Sequence, residues 1–289
     1  MMKIMTAIVA IENGNLKKQV TIGNEIASSY GSGIYIKKGE KITIENLLYG
    51  LMLRSGNDAA AAISYHSCKS VDDFINKMNK LANKLNMKDT TFNNPSGLDE
   101  EKGNYSTAYD MALLTSYAMK NKTYKQIVGT KKYILKTNKN TYIWKNKNKL
   151  LNMYKYTTGG KTGFTKIAKR TLVTTASKNN LNLVVVSLND GNDFNDHKNL
   201  FEYGFSNYKR ELIIKKGIIT IANEKFYKNR KIYIKKNIYY PLTKTEKDSI
   251  RLDYKIEKKH LYKNNSKIGK VDVKLGDKII DSISLYVKK

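Results

Sequence analysis

The hydrophobic period of this chain changes once, near residue 120, and that change limits the possible folds more than any single residue does. Before it, apolar residues recur at helical spacing. Ile4 to Ile11 reads as a short helix that is apolar on nearly every face, with Lys3 at its head and a stop at Asn13-Gly14. The stretch "TIENLLYGLMLRSGNDAAAAISYH", from Thr43, reads as two helices around a break at Ser55-Gly56-Asn57, with Thr43 as N-cap. Phe74, Ile75, Met78, Leu81, Ala82 and Leu85 mark an amphipathic helix with Ser70 and Asp73 in capping-box positions, and "STAYDMALLTSYAMKN" starts another at Ser106. After the change, "KKYIL", "TYIWKN", "RTLVTTASK" and "LNLVVVSLN" are short β-branched or aromatic runs between polar turns, which predicts strands. One more short helix, "DHKNLFEYGF", precedes a stretch beyond Tyr208 that holds only alternating strands and tight turns. The expectation is an α+β protein with a first domain over 1–208 and a smaller all-β domain over 209–289.

Charge is as uneven as the period. The chain carries a formal +28, and residues 209–289 hold 23 Lys and Arg against 9 Asp and Glu, so half of the surplus lies in the last quarter. Lysine is spread along the whole chain, with no basic helix, zinc-finger spacing or organised stacking aromatics, which speaks against nucleic acid as the partner. A compositional Lys/Asn/Ile bias with solvated basic faces is the first reading of such a charge, and an acidic wall polymer or membrane surface the second. No run of about 18 apolar residues would cross a membrane, and the N-terminus lacks the regions of a signal peptide. Cys68 is the only cysteine, so no disulfide forms within the chain; among helical alanines it reads as a small core residue.

Three short motifs could carry chemistry. In "YTTGGKTGFTKIAKRTLVTTAS" two glycines suggest a close turn, followed by Lys161-Thr162-Gly163 on a strand edge. There an ammonium and a hydroxyl could face a groove, and the glycine would let an extended anionic ligand lie alongside. In "SGND", Ser55 and Asn57 flank a glycine, so both side chains can enter one cleft, a hydroxyl for proton relay and an amide for a carbonyl. Lys3, at the head of a buried helix, loses hydration, which favours the neutral amine and makes it a usable base.

The order Lys, Ser-x-Asn, Lys-Thr-Gly resembles the motif order of class A β-lactamases and penicillin-binding proteins. Longer stretches, "KIMTAIVAIENG", "FNNPSGLD", "YSTAYDMA", "GGKTGFT" and "NDHKNLFEYGF", resemble the low-molecular-mass penicillin-binding proteins, the serine-type D-alanyl-D-alanine carboxypeptidases of the peptidase S11 family. The resemblance covers residues 3 to 208, and the β-rich remainder is similar to that family's C-terminal domain. It implies a transpeptidase-like catalytic domain, an antiparallel sheet with a helical cluster, followed by a β stalk that holds it off the membrane. It also implies hydrolysis of the terminal D-Ala-D-Ala bond of peptidoglycan stem peptides through a serine acyl-enzyme, outside the cytoplasm, with β-lactams as covalent inhibitors and with no cofactor or metal.

By that resemblance Lys3 is the base, Ser55 relays the proton to the leaving amine and Asn57 holds the acyl chain's amide. Lys161 and Thr162 bind the terminal carboxylate beside Gly163, the Phe164 N–H joins the oxyanion hole, and His197, in a segment similar to "WNDH", could help with the carboxylate. Ala168-Lys169 stands where many relatives have Ala-Gly, and Arg170 could restore positive charge near Lys161. The family's nucleophilic serine lies three residues before its lysine, which here falls one residue ahead of Met1. The expectation is therefore a chain cut just after its nucleophile and inactive as it stands; the alternative is a wall-binding protein without turnover.

Overall fold

A computed structural model describes all residues except 100–102, 223, 228–229, 259, 262 and 289. Two compact units divide the chain, one of Met1–Lys178 with Asn182–Glu202 and the other of Asn179–Leu181 with Tyr203–Lys289.

In the first unit, helix α1 (Lys3–Asn13) is followed by strands β1 (Gln19–Thr21) and β2 (Lys41–Thr43), which pair antiparallel. Then come α2 (Ile44–Tyr49), a π-helical turn at Gly50–Arg54, α3 (Asn57–Ser67), α4 (Val71–Lys84), α5 (Ala108–Ala118) and α6 (Lys122–Gly129). A hairpin of β3 (Lys132–Lys136) and β4 (Thr141–Lys145) and the single turn α7 (Leu150–Met153) lead to an antiparallel sheet. Its strands β5 (Thr157–Thr165), β6 (Lys169–Lys178) and β7 (Leu181–Leu188) lie in that order, before α8 (Asp193–Asn207).

Helix α1 packs against α3, α4, α5 and α6, and every residue from Lys3 to Ala10 is buried. A helix enclosed on all sides needs no polar face, which accounts for its uniform apolarity. Each buried Ile, Met or Val on it contributes roughly 1.5–3 kcal/mol of transfer free energy. The helix stops at Gly14, but in extended backbone rather than the left-handed cap expected of a glycine.

Thr43 caps α2 as its sequence predicts, its side chain accepting from the Asn46 N–H. Ser70 Oγ caps α4 by accepting from Asp73 N at 3.0 Å, while the Asp73 carboxylate reaches past the cap residue to Lys69 N at 3.4 Å and pairs with Lys77 at 3.2 Å, so only half of the expected box forms. For α5 the cap is Thr107 rather than Ser106, whose hydroxyl is 2.8 Å from Thr90 Oγ1. Cys68 is not in the core; it is half-buried, with Lys77 Nζ 3.3 Å from its sulfur. Helix α6 is an addition to the helices expected above; Tyr124, Ile127 and Val128 are buried at helical spacing, but the helix is short and carries three β-branched residues and a terminal glycine.

The second unit contains β8 (Lys209–Ile214), β9 (Gly217–Ile218), β10 (Lys231–Ile234), β11 (Ile238–Leu242), α9 (Lys244–Lys247), β12 (Ile250–Ile256), β13 (Ser266–Leu275) and β14 (Lys278–Lys288). The strands make a five-stranded sheet in the order β12-β13-β14-β10-β9 and a two-stranded ribbon of β11 and β8. Alternation does the sorting: Ile283, Leu285 and Val287 are buried, together with Ile232, Ile234, Ile268, Val271 and Val273 from the same sheet and Ile214 and Ile238 from the ribbon. The one helical turn, α9, departs from the all-strand expectation. It rests on a complete capping box between Thr243 and Glu246 rather than on an apolar stripe.

Candidate active site

Lys3 emerges from the first turn of α1 beside the loop that joins the π-helical turn to α3. Its ammonium donates to Asn57 Oδ1 at 2.7 Å and to the Ser96 carbonyl at 2.5 Å. Asn57, the first residue of α3, spends its other amide atom on the Tyr30 carbonyl, 2.6 Å away, and its backbone N–H on Ser32 O at 2.7 Å. The Pro95-Ser96-Gly97 segment, within the family-like stretch "FNNPSGLD", thus supplies a ligand to the lysine, and Pro95 O accepts from Thr6 Oγ1 at 2.6 Å.

Ser55 sits at the end of the π-helical turn in left-handed backbone, φ 65°. A π turn carries one residue more than an α turn, and such insertions favour functional positions. Behind the loop, Asp58 gathers three successive N–H groups: Ile34 at 3.0 Å, Tyr35 at 2.7 Å and Ile36 at 3.3 Å. Asp58, Tyr30 and Ser96 were missed in the sequence. Asp58 did leave a signal, an acidic residue in a helix's first turn, but that turn serves a loop more than 20 residues away.

Opposite the loop stands β5, the edge of its sheet. No turn forms at Gly159-Gly160; both lie within the strand, past a bulge at Thr157/Gly159. They are small because the chain is crowded there. A Cβ on Gly159 would lie 2.4 Å from Val128 Cγ2, and one on Gly160 (φ 149°) 2.3 Å from the Val173 carbonyl oxygen.

Strand alternation puts Lys161 and Gly163 on one face and Thr162 and Phe164 on the other. Lys161 is 1% exposed and its ammonium donates to Thr162 O at 2.7 Å, whereas Phe164 is 70% exposed. The backbone nitrogen of Met1 lies against Gly163, where a Cβ would come within 2.9 Å of it. The Met1 nitrogen thus lies beside the β5 edge, near the Lys3 and Lys161 charges.

The electrostatics follow from burial without counter-charge. Burial, helped by the nearby Lys147, brings the Lys3 ammonium down to about 7 against the Asp58 charge, which raises it. Burial and then the Lys3 charge hold Lys161 well below the usual lysine range. Lys147, an exposed residue whose ammonium lies 3.4 Å from Ser32 Oγ, is lowered by desolvation and by Arg54. Such a site keeps an amine neutral near pH 7 and attracts anions.

His197 is not brought to this cleft. On α8 it is fully buried, its Nδ1 2.6 Å from Thr174 Oγ1 and its Nε2 3.0 Å from Ser187 Oγ. Lys161 faces Val173 across the β5–β6 ladder, so Thr174 points to the other side and the histidine packs behind the sheet. Burial lowers its imidazole to about 4. Arg170 likewise turns from Lys161 to pair with Asp193 at 2.7 Å.

Comparison with known proteins gives a consistent set of likenesses. Residues 1–192 match the family model of D-alanyl-D-alanine carboxypeptidases, and residues 208–289 match that of the penicillin-binding protein 5 C-terminal domain. The D-alanyl-D-alanine carboxypeptidase DacF of Bacillus subtilis is 33% identical over 84% of this chain, which spans 64% of that protein's length. A D-alanyl-D-alanine carboxypeptidase of Streptomyces sp. strain K15 is 36% identical over 71% of this chain and 77% of its own. Penicillin-binding protein 5 of Haemophilus influenzae superposes with a TM-score of 0.78 at 25% identity, covering 100% of this chain and 88% of the other.

Proposed function

As the chain belongs to the D-alanyl-D-alanine carboxypeptidase family of serine peptidases, we propose that it serves cell-wall remodelling by cleaving the terminal D-Ala-D-Ala bond of peptidoglycan stem peptides through an acyl-enzyme. The observation that carries this reading is the buried Lys3 amine, 2.7 Å from Asn57 Oδ1 and brought to about 7 beside Lys161.

In the proposed reaction the neutral Lys3 amine takes the proton of a serine hydroxyl delivered ahead of Met1. The serine oxygen attacks the penultimate D-Ala carbonyl, and the C–N bond breaks as a proton passes through Ser55 to the leaving amine. The stem peptide lies along the β5 edge, where the unpaired strand can accept an extended chain. Asn57 holds the acyl side, the terminal carboxylate meets Lys161 from one face of the β5 edge and Thr162 from the other, and Gly163 leaves room for the peptide. The Phe164 N–H stabilises the oxyanion, a contact worth roughly 3 kcal/mol in such sites. Water then releases the acyl group, and a β-lactam would be trapped at the same step.

The reading includes an extracytoplasmic setting and an anionic wall polymer or membrane surface as partner of the basic second unit. Among the described residues no helix is long and apolar enough to cross a membrane.

The test is acylation by a labelled penicillin of a form that carries Ser directly before Met1, beside the chain that begins at Met1. Labelling of the first alone supports the reading. An unlabelled but folded serine-bearing form that still binds D-Ala-D-Ala peptides would favour binding without turnover instead.

A further inference from the structure

The outer face of the five-stranded sheet is divided into a neutralised end and an unneutralised one. At the first end the register sets Lys255 opposite Lys270 and Asp253 opposite Asp272. Asp272 settles the lysine pair, 2.8 Å from Lys255 Nζ and 2.9 Å from Lys270 Nζ, and also accepts from Ser282 Oγ at 2.7 Å. Lys274 is paired with Asp253 at 2.8 Å.

At the other end Lys231 stands directly opposite Lys288, and Tyr233 opposite Tyr286. The two rings are 5.7 Å apart and tilted, and Lys235 Nζ lies 3.7 Å over the Tyr286 ring. Among the described residues no carboxylate lies within 4.0 Å of Lys231, Lys235 or Lys288. Like charges opposite one another in a sheet are destabilising. Edge protection does not explain them, since β10 and β14 are both interior strands.

We infer that this lysine–tyrosine patch is a docking surface for an anionic wall glycan, resting on the wall setting proposed above. Repeated phosphate or carboxylate groups would meet Lys231, Lys288 and Lys235, which Tyr286 holds over its ring, and the C–H faces of sugar or alditol units would lie on Tyr233. Charge complementarity selects an anion, and the half-buried rings, lying in the sheet face, select a flat polymer over a bilayer. Ile218, opposite Tyr233 on β9, is exposed on the same face and would add apolar contact to the same sugar units.

The experiment measures co-sedimentation of the full chain with purified sacculi, with sacculi stripped of phosphodiester polymer, with phosphatidylglycerol vesicles and with single-stranded DNA. Lys231→Glu/Lys288→Glu is compared with Lys84→Glu/Lys120→Glu, which changes the charge equally but lies in the first unit. Sacculus affinity is expected to fall at least tenfold in the first variant and less than threefold in the second. Tyr286→Ala should weaken it several-fold. The single Lys231→Glu variant should lose affinity yet melt no lower, because it replaces a repulsive pair by an attractive one.

Binding lost on stripping assigns the anion to phosphodiesters, and binding retained assigns it to glycan-peptide carboxylates. Equal binding by both charge variants, or patch-dependent binding confined to vesicles or DNA, overturns the inference. Hydrolysis of a soluble D-Ala-D-Ala peptide by the serine-bearing form separates the two ideas. Turnover without patch-dependent binding sinks this inference alone, and patch-dependent binding without turnover sinks the enzymatic reading alone.

Discussion

The two units bury charge in opposite ways. In the first, Lys3 and Lys161 are withdrawn from water with neutral carbonyl and amide partners, and their ammonium groups are pushed toward the neutral form. In the second, Asp272 is 0% exposed but ringed by Lys255, Lys270 and the Ser282 hydroxyl, which hold its carboxyl far below the usual carboxylate range. Burial disfavours the charged form in both; the partners decide the outcome. A buried charge with matched partners is architecture. A buried amine without a carboxylate partner is a base waiting for a proton, or a site waiting for an anion.

The sharpest way to break this comparison is Lys3→Met. In the serine-bearing form it should slow penicillin acylation by about 10²–10⁴-fold, the range for loss of a general base. Thermal stability at pH 7 should not fall, since an unmatched amine is replaced by a thioether of similar length. Asp272→Ala should do the reverse. It leaves Lys255 and Lys270 as an uncompensated like pair, so the urea midpoint of the second unit drops while acylation is unchanged.

The next effect lies in pH. Between about 7 and the ordinary lysine value near 10.5, the unfolded chain keeps the Lys3 proton and the folded chain does not. Stability of the first unit should therefore rise with pH in that window, by up to ~1.4 kcal/mol per pH unit for one group, and Lys3→Met should flatten the slope. His197 acts on the acid side. Held neutral to about 4, it stabilises the fold fully above the unfolded value of 6.5, and that contribution is lost as pH falls toward 4. Acid melts of His197→Gln should show a shallower decline. The smallest effect is Thr43→Ala, which removes the cap on α2 at a cost of about 1 kcal/mol, read as a shift in urea midpoint.

Much of this could be read from the chain because local chemistry fixes it. The enclosed α1, the Ser55–Asn57 break and the alternation of β14 each follow from the residues that form them. What escaped reading depends on partners distant in sequence. The Ser96 carbonyl meets Lys3 across 93 residues and the Tyr30 carbonyl meets Asn57 across 27; backbone acceptors leave no trace in side-chain patterns. Gly159 and Gly160 read as a turn because a glycine demanded by crowding, as Gly159 is, looks the same in sequence as one demanded also by φ, as Gly160 is. His197 stands near the family pattern in sequence, yet a ten-residue strand separates its helix from the cleft, and only the sheet's two faces reveal the side it takes.

The Asp58 carboxylate joins the amides of residues 34–36 to the first turn of α3. Loops ordinarily keep their own time, opening within nanoseconds to microseconds. Here three successive protons are anchored to a buried helix whose release requires a larger opening, so in deuterated solvent this loop should exchange on the helix's schedule. The 34–36 segment behind the site and the Ser55–Asn57 loop then keep a single clock, and a ligand that slows one will slow the other.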